Sequence, residues 1–367
     1  MIQQLLPKHY TDQPFFEEEI NSLFETNWQF ACMKSEVPEK FSYCVVNYHN
    51  TSYFVTNTGK NGIRAFKNVC SHRGNKLYFD EFGKRPVMCL YHNWTYNADG
   101  KPINAFNKEF FETPEADDLL LDQYEVAEVG EFLFVKLAKS EVTIHDQLGI
   151  FYDKLIELSA AIGKRIDINT NVHLSNWKLL VENVLECYHC LPVHQNSLYE
   201  RLGIGGKPYV NFDFFNGNSS AHAPIDTDKI PPKRKKLLQY LESRTFKHES
   251  FYHLYIYPNL FISSTEGSSF YMGQALPDAP GQTSLRVRYF EANLPNMEDY
   301  RNYQDIINND IVNFGNEVLN EDREIIQNVQ KGLALHKKKL YLNKEEFRIK
   351  AFHEHYCSQI NTHELYQ

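Results

Sequence analysis

Two pairs of metal-type ligands stand out in the chain: Cys70-Ser71-His72 and Cys89-Leu90-Tyr91-His92, separated by sixteen residues, each following a strand-like segment. One thiol and one imidazole per half predict two matched loops converging on one small object. A cluster of two irons and two sulfides suits this set. Thiolates hold one iron and neutral imidazoles the other, which lowers the negative charge and raises the potential. Tetrahedral zinc with the same Cys2His2 ligands is the rival. Zinc fingers usually group cysteines in one half and histidines in the other, so the spacing argues against zinc.

A second constellation lies in NWKLLVENVLECYHCLPVH, residues 176–194. Helical spacing over Asn176 to Cys190 puts Glu182, Glu186 and His189 on one face, beside an apolar stripe of Val181, Val184, Leu185 and Tyr188. Pro192 then ends the helix, and His194 turns back toward His189. A lone helical histidine is more often a satisfied core residue; two that can share an ion are not alone. Two histidines and one carboxylate leave open positions on iron(II) for dioxygen and substrate. Val318, Leu319, Asp322, Ile325, Ile326 and Val329 recur at helical intervals, so Asp322 sits in an apolar seam where a cation would compensate it. Glu321 and Arg323, about 100 degrees away, are expected to be solvated, and Asp322 is the preferred third ligand.

The elements that position these residues follow from the pattern. Phe15 to Phe24 is helical. Strands are expected at Tyr43–Asn47, Tyr53–Thr56, Arg64–Val69, Pro86–Cys89 and Phe132–Leu137, with a hairpin turn at Asn97-Ala98-Asp99-Gly100. From His145 the period becomes helical, which sets a boundary near residue 140. Four more strands, Phe251–Tyr257, Leu260–Ser264, Phe270–Leu276 and Ser284–Ala292, precede a long helix, Tyr300–His336. Strands in one block with helices before and after indicate an α+β domain, an antiparallel sheet covered by helices.

A length of 367 residues suits about two domains. With 38 Lys and Arg against 47 Asp and Glu, a net charge of -9 leaves no broad basic surface for nucleic acid. No apolar stretch is long enough to span a bilayer, and MIQQLLPKHY does not resemble a secretion signal, so a soluble cytoplasmic protein with no membrane or nucleic-acid partner is expected. Seven cysteines in such a chain read as thiols or metal ligands rather than bridges. Cys187-Tyr188-His189-Cys190 lacks a thioredoxin-like setting, so both thiols are expected to pack. The remaining decoys are His353-Glu354-His355, expected in a solvated C-terminal region; Gly203-Ile204-Gly205-Gly206-Lys207, a mobile loop rather than a phosphate loop; and the clusters Lys233–Lys236 and Lys337–Lys339, solvated faces.

On Cys70-x-His72 and Cys89-x-x-His92, with Arg73-Gly74, Trp94 and Tyr96, the sequence resembles the Rieske family. It departs at Leu90, where Pro is usual, and at Asn93, where Gly is usual. Residues 182–194 resemble the catalytic motif of Rieske non-haem iron oxygenases, ring-hydroxylating-type alpha subunits. The resemblance implies an all-β Rieske [2Fe-2S] domain at 28–140 and a helix-grip catalytic domain from 1–27 and 141–367. It also implies a mononuclear Fe(II) on His189, His194 and Asp322, and a catalytic Glu186 that links His189 to the cluster ligand His92 of a neighbouring subunit in a homotrimer. A Glu at 186, where many members have Asp, resembles the branch acting on choline, glycine betaine and carnitine.

No G-x-G-x-x-G follows a strand, so electrons from NAD(P)H must arrive through a separate reductase of flavin or ferredoxin type. The expected activity is that of a terminal oxygenase. It would use O2 to hydroxylate or N-dealkylate a small organic substrate of the quaternary-amine type. The alternatives are dioxygenation or O-demethylation of an aromatic acid and, in another class, an electron-transfer or redox-sensing protein carrying only the cluster. Tyr255, Tyr257, Phe261, Phe270 and Tyr271 could offer cation-π faces or simply be core.

Overall fold

Among the described residues, short alternating segments between Gln29 and Lys136 form nine strands: β1 (Gln29–Met33), β2 (Ser42–Tyr48), β3 (Thr51–Asn57), β4 (Ile63–Lys67), β5 (Phe82–Lys84), β6 (Thr95–Tyr96), β7 (Pro102–Asn104), β8 (Gln123–Val129) and β9 (Phe132–Lys136). They belong to the computed structural model of the chain, which describes residues 5–105, 119–230, 232–240, 242–294 and 297–360. Seven strands make one antiparallel sheet in the order β1-β9-β8-β4-β3-β2-β5, and β6 pairs with β7. Gly100 closes that small hairpin at φ +75°, with its N–H on the Asn97 carbonyl, and a Cβ there would meet the Phe66 ring at 2.9 Å. Pro86–Cys89 is not a strand: only Met88 bridges to Thr95. These residues belong instead to the loop that presents Cys89.

Residues Phe24–Ile144 form one unit of the chain, and Met1–Leu23 with His145–Gln367 form the other. The second unit opens with α1 (Lys8–Thr11) and α2 (Gln13–Glu19), continued by a π-helical turn, Ile20–Phe24. It resumes with α3 (Ile144–Leu148), α4 (Phe151–Ala161), β10 (Ile162–His173), α5 (Trp177–Leu185), α6 (Cys190–Val193) and α7 (Glu200–Leu202). Then come β11 (Val210–Phe215), β12 (Asn218–Pro224), α8 (Pro232–Tyr240), β13 (Ser250–Ile256), β14 (Leu260–Thr265), β15 (Ser269–Ala279), β16 (Gln282–Ala292), α9 (Met297–Leu335) and α10 (Phe347–Gln359). The sheet runs β10-β16-β15-β14-β13-β12-β11, antiparallel throughout.

Helices α5 and α9 pack on this sheet and on each other, and α10 packs on α5 and reaches the sheet through Phe352 and Arg348. Trp177 of α5 meets Phe352 of α10 edge-on at 6.0 Å, and Phe352 in turn meets Tyr255 and Tyr257 of the sheet region. Tyr255, Tyr257 and Phe270 are thus core, and of the five aromatic residues weighed above only Phe261 and Tyr271 face the cavity described below.

Asn176 starts α5 by accepting the Lys178 N–H at 3.0 Å, as an N-cap should. The helix stops at Leu185, not at Cys190 as the periodicity suggests. Glu186 is extended (φ -134°, ψ 168°), and its carboxylate takes the backbone N–H groups of Tyr188 and His189. A side chain that satisfies these donors locally competes with helix propagation. Glu182 therefore does not share a face with Glu186 and His189. It accepts hydrogen bonds from Tyr10 Oη (2.6 Å) and His353 Nε2 (2.9 Å). His353, expected in a solvated tail, is buried in α10 by the same contact.

Candidate metal centres

In the first unit, Cys70 and Cys89 sit in loops closed by the same backbone pattern. Cys70 N–H bonds the Asn75 carbonyl (2.8 Å) and Gly74 N–H returns to Cys70 O (3.0 Å); Cys89 N–H bonds the Trp94 carbonyl (2.8 Å) and Asn93 N–H returns to Cys89 O (2.8 Å). Gly74 and Asn93 hold equivalent places, at φ +73° and +55°. Asn is among the few side-chain-bearing residues that tolerate this left-handed region, so the departure at Asn93 preserves the loop.

Both thiols are buried in a core with Tyr43, Phe54, Phe66, Tyr78 and Trp94. Burial raises the Cys70 thiol, with Tyr96 Oη at 3.1 Å partly opposing that shift, and Asn75 Nδ2 donates to Cys89 Sγ at 3.6 Å. The imidazoles of His72 and His92 lie 4.7 Å apart, and Trp94 stacks on His72 at 4.8 Å. Burial first, and then the neighbouring His92 and Arg73, lower His72 from its ordinary value, which favours the neutral form that a metal-binding imidazole needs.

In the second unit, His189 follows the turn capped by Glu186, His194 caps the end of α6, and Asp322 projects from α9. Their ligand atoms lie within 4.8 Å of one another. Asp322 Oδ1 is 3.0 Å from His194 Nε2 and 3.5 Å from His189 Nε2, and it also accepts from Asn183 Nδ2 at 3.1 Å. Each opposite ring nitrogen is held by a carboxylate: His189 Nδ1 by Glu186, and His194 Nδ1 by Glu321 at 2.6 Å. Burial works against a charged His194, but Asp322 and then Glu321 outweigh it and hold this imidazole above its ordinary value.

Glu321 corrects the sequence reading. It is not a solvated neighbour of Asp322, because His194 and Ser197 approach α9 from the flank and both bond its carboxylate at 2.6 Å. Arg323 has a buried Nε as well. The apolar seam is shorter than expected, since Ile325 and Val329 are exposed. The Cys187 and Cys190 thiols do not simply pack; a disulfide joins them across the turn that carries His189. Gly203–Lys207 is anchored, with Ile204 buried against Cys190, Leu198 and Leu202, and Arg234 of the basic cluster pairs with Glu266 at 3.4 Å.

A cavity of about 720 Å³ opens beside the His189, His194 and Asp322 ligand set. Its floor is one face of the sheet, where register aligns His253, Ser263, Tyr271 and Tyr289 in a single cross-strand row. Tyr271 packs against Tyr289 at 5.5 Å and Phe261 at 6.1 Å. Ile307, Ile311, Phe314 and Val318 of α9 form the opposite wall.

Residues 160–362, more than half of the chain, match the ring hydroxylating alpha subunit (catalytic domain) family, and residues 27–113 match the Rieske [2Fe-2S] domain. This chain belongs to the ring-hydroxylating alpha subunit family. Membership brings with it a Rieske cluster and a mononuclear iron, and it sets aside the reading of a protein that carries the cluster alone.

Among relatives of this family member, the glycine betaine monooxygenase oxygenase subunit of Chromohalobacter salexigens is 34% identical over 210 residues, 54% of this chain and 47% of that one. The carnitine monooxygenase oxygenase subunit of Escherichia coli K12 is 31% identical over 190 residues, 51% of each chain. The chain spans about half the length of the curated relatives it matches. The crystal structure of the quaternary ammonium Rieske monooxygenase CntA with L-carnitine shares the fold, with a TM-score of 0.79 and 20% identity over 97% of this chain and 95% of that one. Naphthalene 1,2-dioxygenase from Rhodococcus sp. does so at 0.76 and 17%, over 98% and 94%. Among the described residues, no helix is long and apolar enough to cross a membrane.

Replacing Glu321 by Gln removes the anion that orients His194. A lost partner behind a metal-bound imidazole costs about 10- to 100-fold in metal affinity. Iron titration of the metal-free variant should show that loss with the visible absorption of the cluster unchanged; wild-type affinity would make Glu321 incidental.

Proposed function

We propose that the chain is the oxygenase component of a monooxygenase system acting on a quaternary amine of betaine type, by C–H hydroxylation or oxidative N-dealkylation. The observation that carries this reading is the set His189, His194 and Asp322, each side chain held from behind or beside, facing a cavity with Phe261, Tyr271 and Tyr289 on its floor. Two histidines and one carboxylate are a donor set suited to iron(II), and the paired thiols and imidazoles of Cys70, Cys89, His72 and His92 suit a Rieske cluster. The cluster supplies single electrons, and the mononuclear iron supplies open positions for dioxygen beside the substrate. In our reading residues 28–140 form the cluster domain, and 1–27 with 141–367 the catalytic one.

The chain's own residues do three things. Glu186 and Glu321 accept the Nδ1 protons of His189 and His194, which turns both Nε2 atoms toward Asp322. Phe261, Tyr271 and Tyr289 offer faces to a trimethylammonium group, worth about 2 kcal/mol or more where water is excluded. The apolar wall of α9 limits the water that reaches the site. The relatives named for glycine betaine and carnitine support this substrate class. Electrons would come from a separate NAD(P)H-dependent reductase, and the oxygenase would act as a cytoplasmic homotrimer in which Glu186 faces the His92 of a neighbouring copy.

A relative named anthranilate 1,2-dioxygenase large subunit, 27% identical over 294 residues, favours the second reading, an aromatic acid in the same cavity. Reconstitution with a reductase separates the two. Betaines should drive oxygen uptake with release of formaldehyde or a tertiary amine, because hydroxylation next to nitrogen gives an unstable hemiaminal. Uptake with aromatic acids only would replace the first reading by the second. Glu186→Gln should keep the iron content yet slow single turnover by about 10- to 100-fold; unchanged single-turnover rates would remove Glu186 from electron delivery.

A further inference from the structure

A buried cation without a counter-ion lies beside the cavity floor, on the same face of the sheet as His253. Arg348, near the start of α10, is 1% exposed; it donates to Ser219 Oγ (3.0 Å), the Ser219 carbonyl (3.4 Å) and His253 Nδ1 (3.0 Å). The Tyr209 ring lies 5.8 Å from its guanidinium carbon. Its Nη1 has no partner, and no carboxylate among the described residues pairs with it. A buried charge left unpaired is costly, so an anion in reach would be strongly favoured.

His253 connects that charge to the cavity. A guanidinium only donates, so His253 Nδ1 is the acceptor and the ring proton sits on Nε2. Nε2 is buried and has no acceptor, although His253 lines the cavity and is only 4% exposed. Strand alternation turns Phe251 and His253 to the same side of β13, and both line the cavity. A neutral N–H backed by a guanidinium is a donor for an anionic oxygen, and hydrogen bonds to charged acceptors are the strong ones. Burial, together with the Arg348 charge, keeps this imidazole well below its ordinary value, so it remains neutral. Arg234, at another part of the lining, already has Glu266 as its partner.

We propose that His253, polarised by Arg348, receives the carboxylate of a zwitterionic substrate whose quaternary ammonium group lies over Tyr271. The proposal rests on the quaternary-amine reading above and narrows it. His253 and Tyr271 stand two strands apart in one row, about 10 Å at ~4.8 Å per strand. A cation sits within ~6 Å of a ring centroid. That separation favours a substrate whose charges are several carbons apart over glycine betaine, with its single methylene.

Calorimetric titration of the anaerobic, iron-loaded oxygenase with γ-butyrobetaine and with butyltrimethylammonium, the same cation without the carboxylate, tests this. Wild type should bind the zwitterion more tightly. His253→Ala should lose tenfold or more of its affinity for γ-butyrobetaine and less than about threefold for butyltrimethylammonium, and His253→Gln, which retains an N–H donor, should recover part of the loss. Should His253→Ala not fold, His253→Phe, which fills the space without a donor, reads the same ratio. Equal losses for both ligands, or no loss, would overturn the proposal and leave the quaternary-amine reading standing. Wild type binding neither ligand would overturn both.

Discussion

Asp322→Ala is expected to abolish substrate-dependent oxygen uptake while leaving the visible absorption of the cluster intact. Asp322 is the only carboxylate among the described residues within reach of both Nε2 atoms, at 3.0 Å from His194 and 3.5 Å from His189. Without it, the two imidazoles remain as neutral ligands with no anion to offset a divalent cation, and affinity falls. Iron analysis should give about two per chain in the variant against about three in the wild type. Asp322→Glu should restore less than full activity, because the longer arm moves the oxygen in a pocket that Asn183 has set for an aspartate. A fully active Asp322→Ala protein would shift the third ligand elsewhere, and Glu321 would be the first residue to examine.

The loops at Cys70 and Cys89 were legible because the residues that pattern them are local. Two residues of each loop are fixed by the Cys-to-His spacing, and the repeated hydrogen bonds at Cys70 and Cys89 follow from loops of nearly equal length. The central strands of the second unit, with Leu260–Thr265 and Ser269–Ala279 buried over most of their length, carry enough apolar residues to declare themselves. Strand β10 does not. Ile162–His173 is an edge strand of mostly half-buried polar residues, and β12, Asn-Ser-Ser-Ala-His-Ala-Pro, is buried through small polar side chains rather than apolar ones. Propensity is weak where pairing partners decide the structure.

The pocket beside His189, His194 and Asp322 shows a different limit. Periodicity extended α5 through His189 because no Gly or Pro stands between Leu185 and Cys190. What ends the helix is the Glu186 side chain taking nearby backbone donors. For Glu321 the 100-degree rule gave the correct direction relative to Asp322 and the wrong surroundings, because the rule knows nothing of a segment arriving from the side. An adjacent Glu-Asp pair on a helix that must also serve a histidine is the one local signal that both acids could be engaged. The Glu182–His353 contact joins positions 171 residues apart, which no local pattern encodes.

Glu19→Ala should be the most destabilising single change outside the metal sites. Glu19 is fully buried at the end of α2 and accepts from Lys178 Nζ, Trp177 Nε1 (2.8 Å) and Tyr356 Oη, so one carboxylate ties α2 to α5 and α10. Its removal leaves Lys178, itself fully buried, with its ammonium among the rings of Tyr10, Trp177 and Tyr356 at 5.1–5.5 Å and no bonded anion. Breaking a buried pair from one side costs about 3–5 kcal/mol, on the order of 10 °C in melting temperature. Lys178→Met should cost less, because the carboxylate keeps its Trp177 and Tyr356 donors. The double replacement Glu19→Met with Lys178→Met should recover much of the loss, since apolar groups of similar volume often replace a buried pair without penalty.

The pH dependence of that deficit has a definite sign. Burial lowers the Lys178 ammonium from its ordinary value, and Glu19 is the main influence opposing that shift. With Glu19 gone the folded-state value falls further below the unfolded one. The unfolded chain then binds the extra proton over a wider range, and stability rises with pH across it. The Glu19→Ala deficit should therefore shrink between pH 7 and about 9, toward the ordinary lysine value near 10.4. Urea unfolding of both proteins at the two pH values measures this directly. A deficit that stays constant would mean that the Lys178 ammonium finds another anion once Glu19 is removed, with Glu182 the nearest candidate.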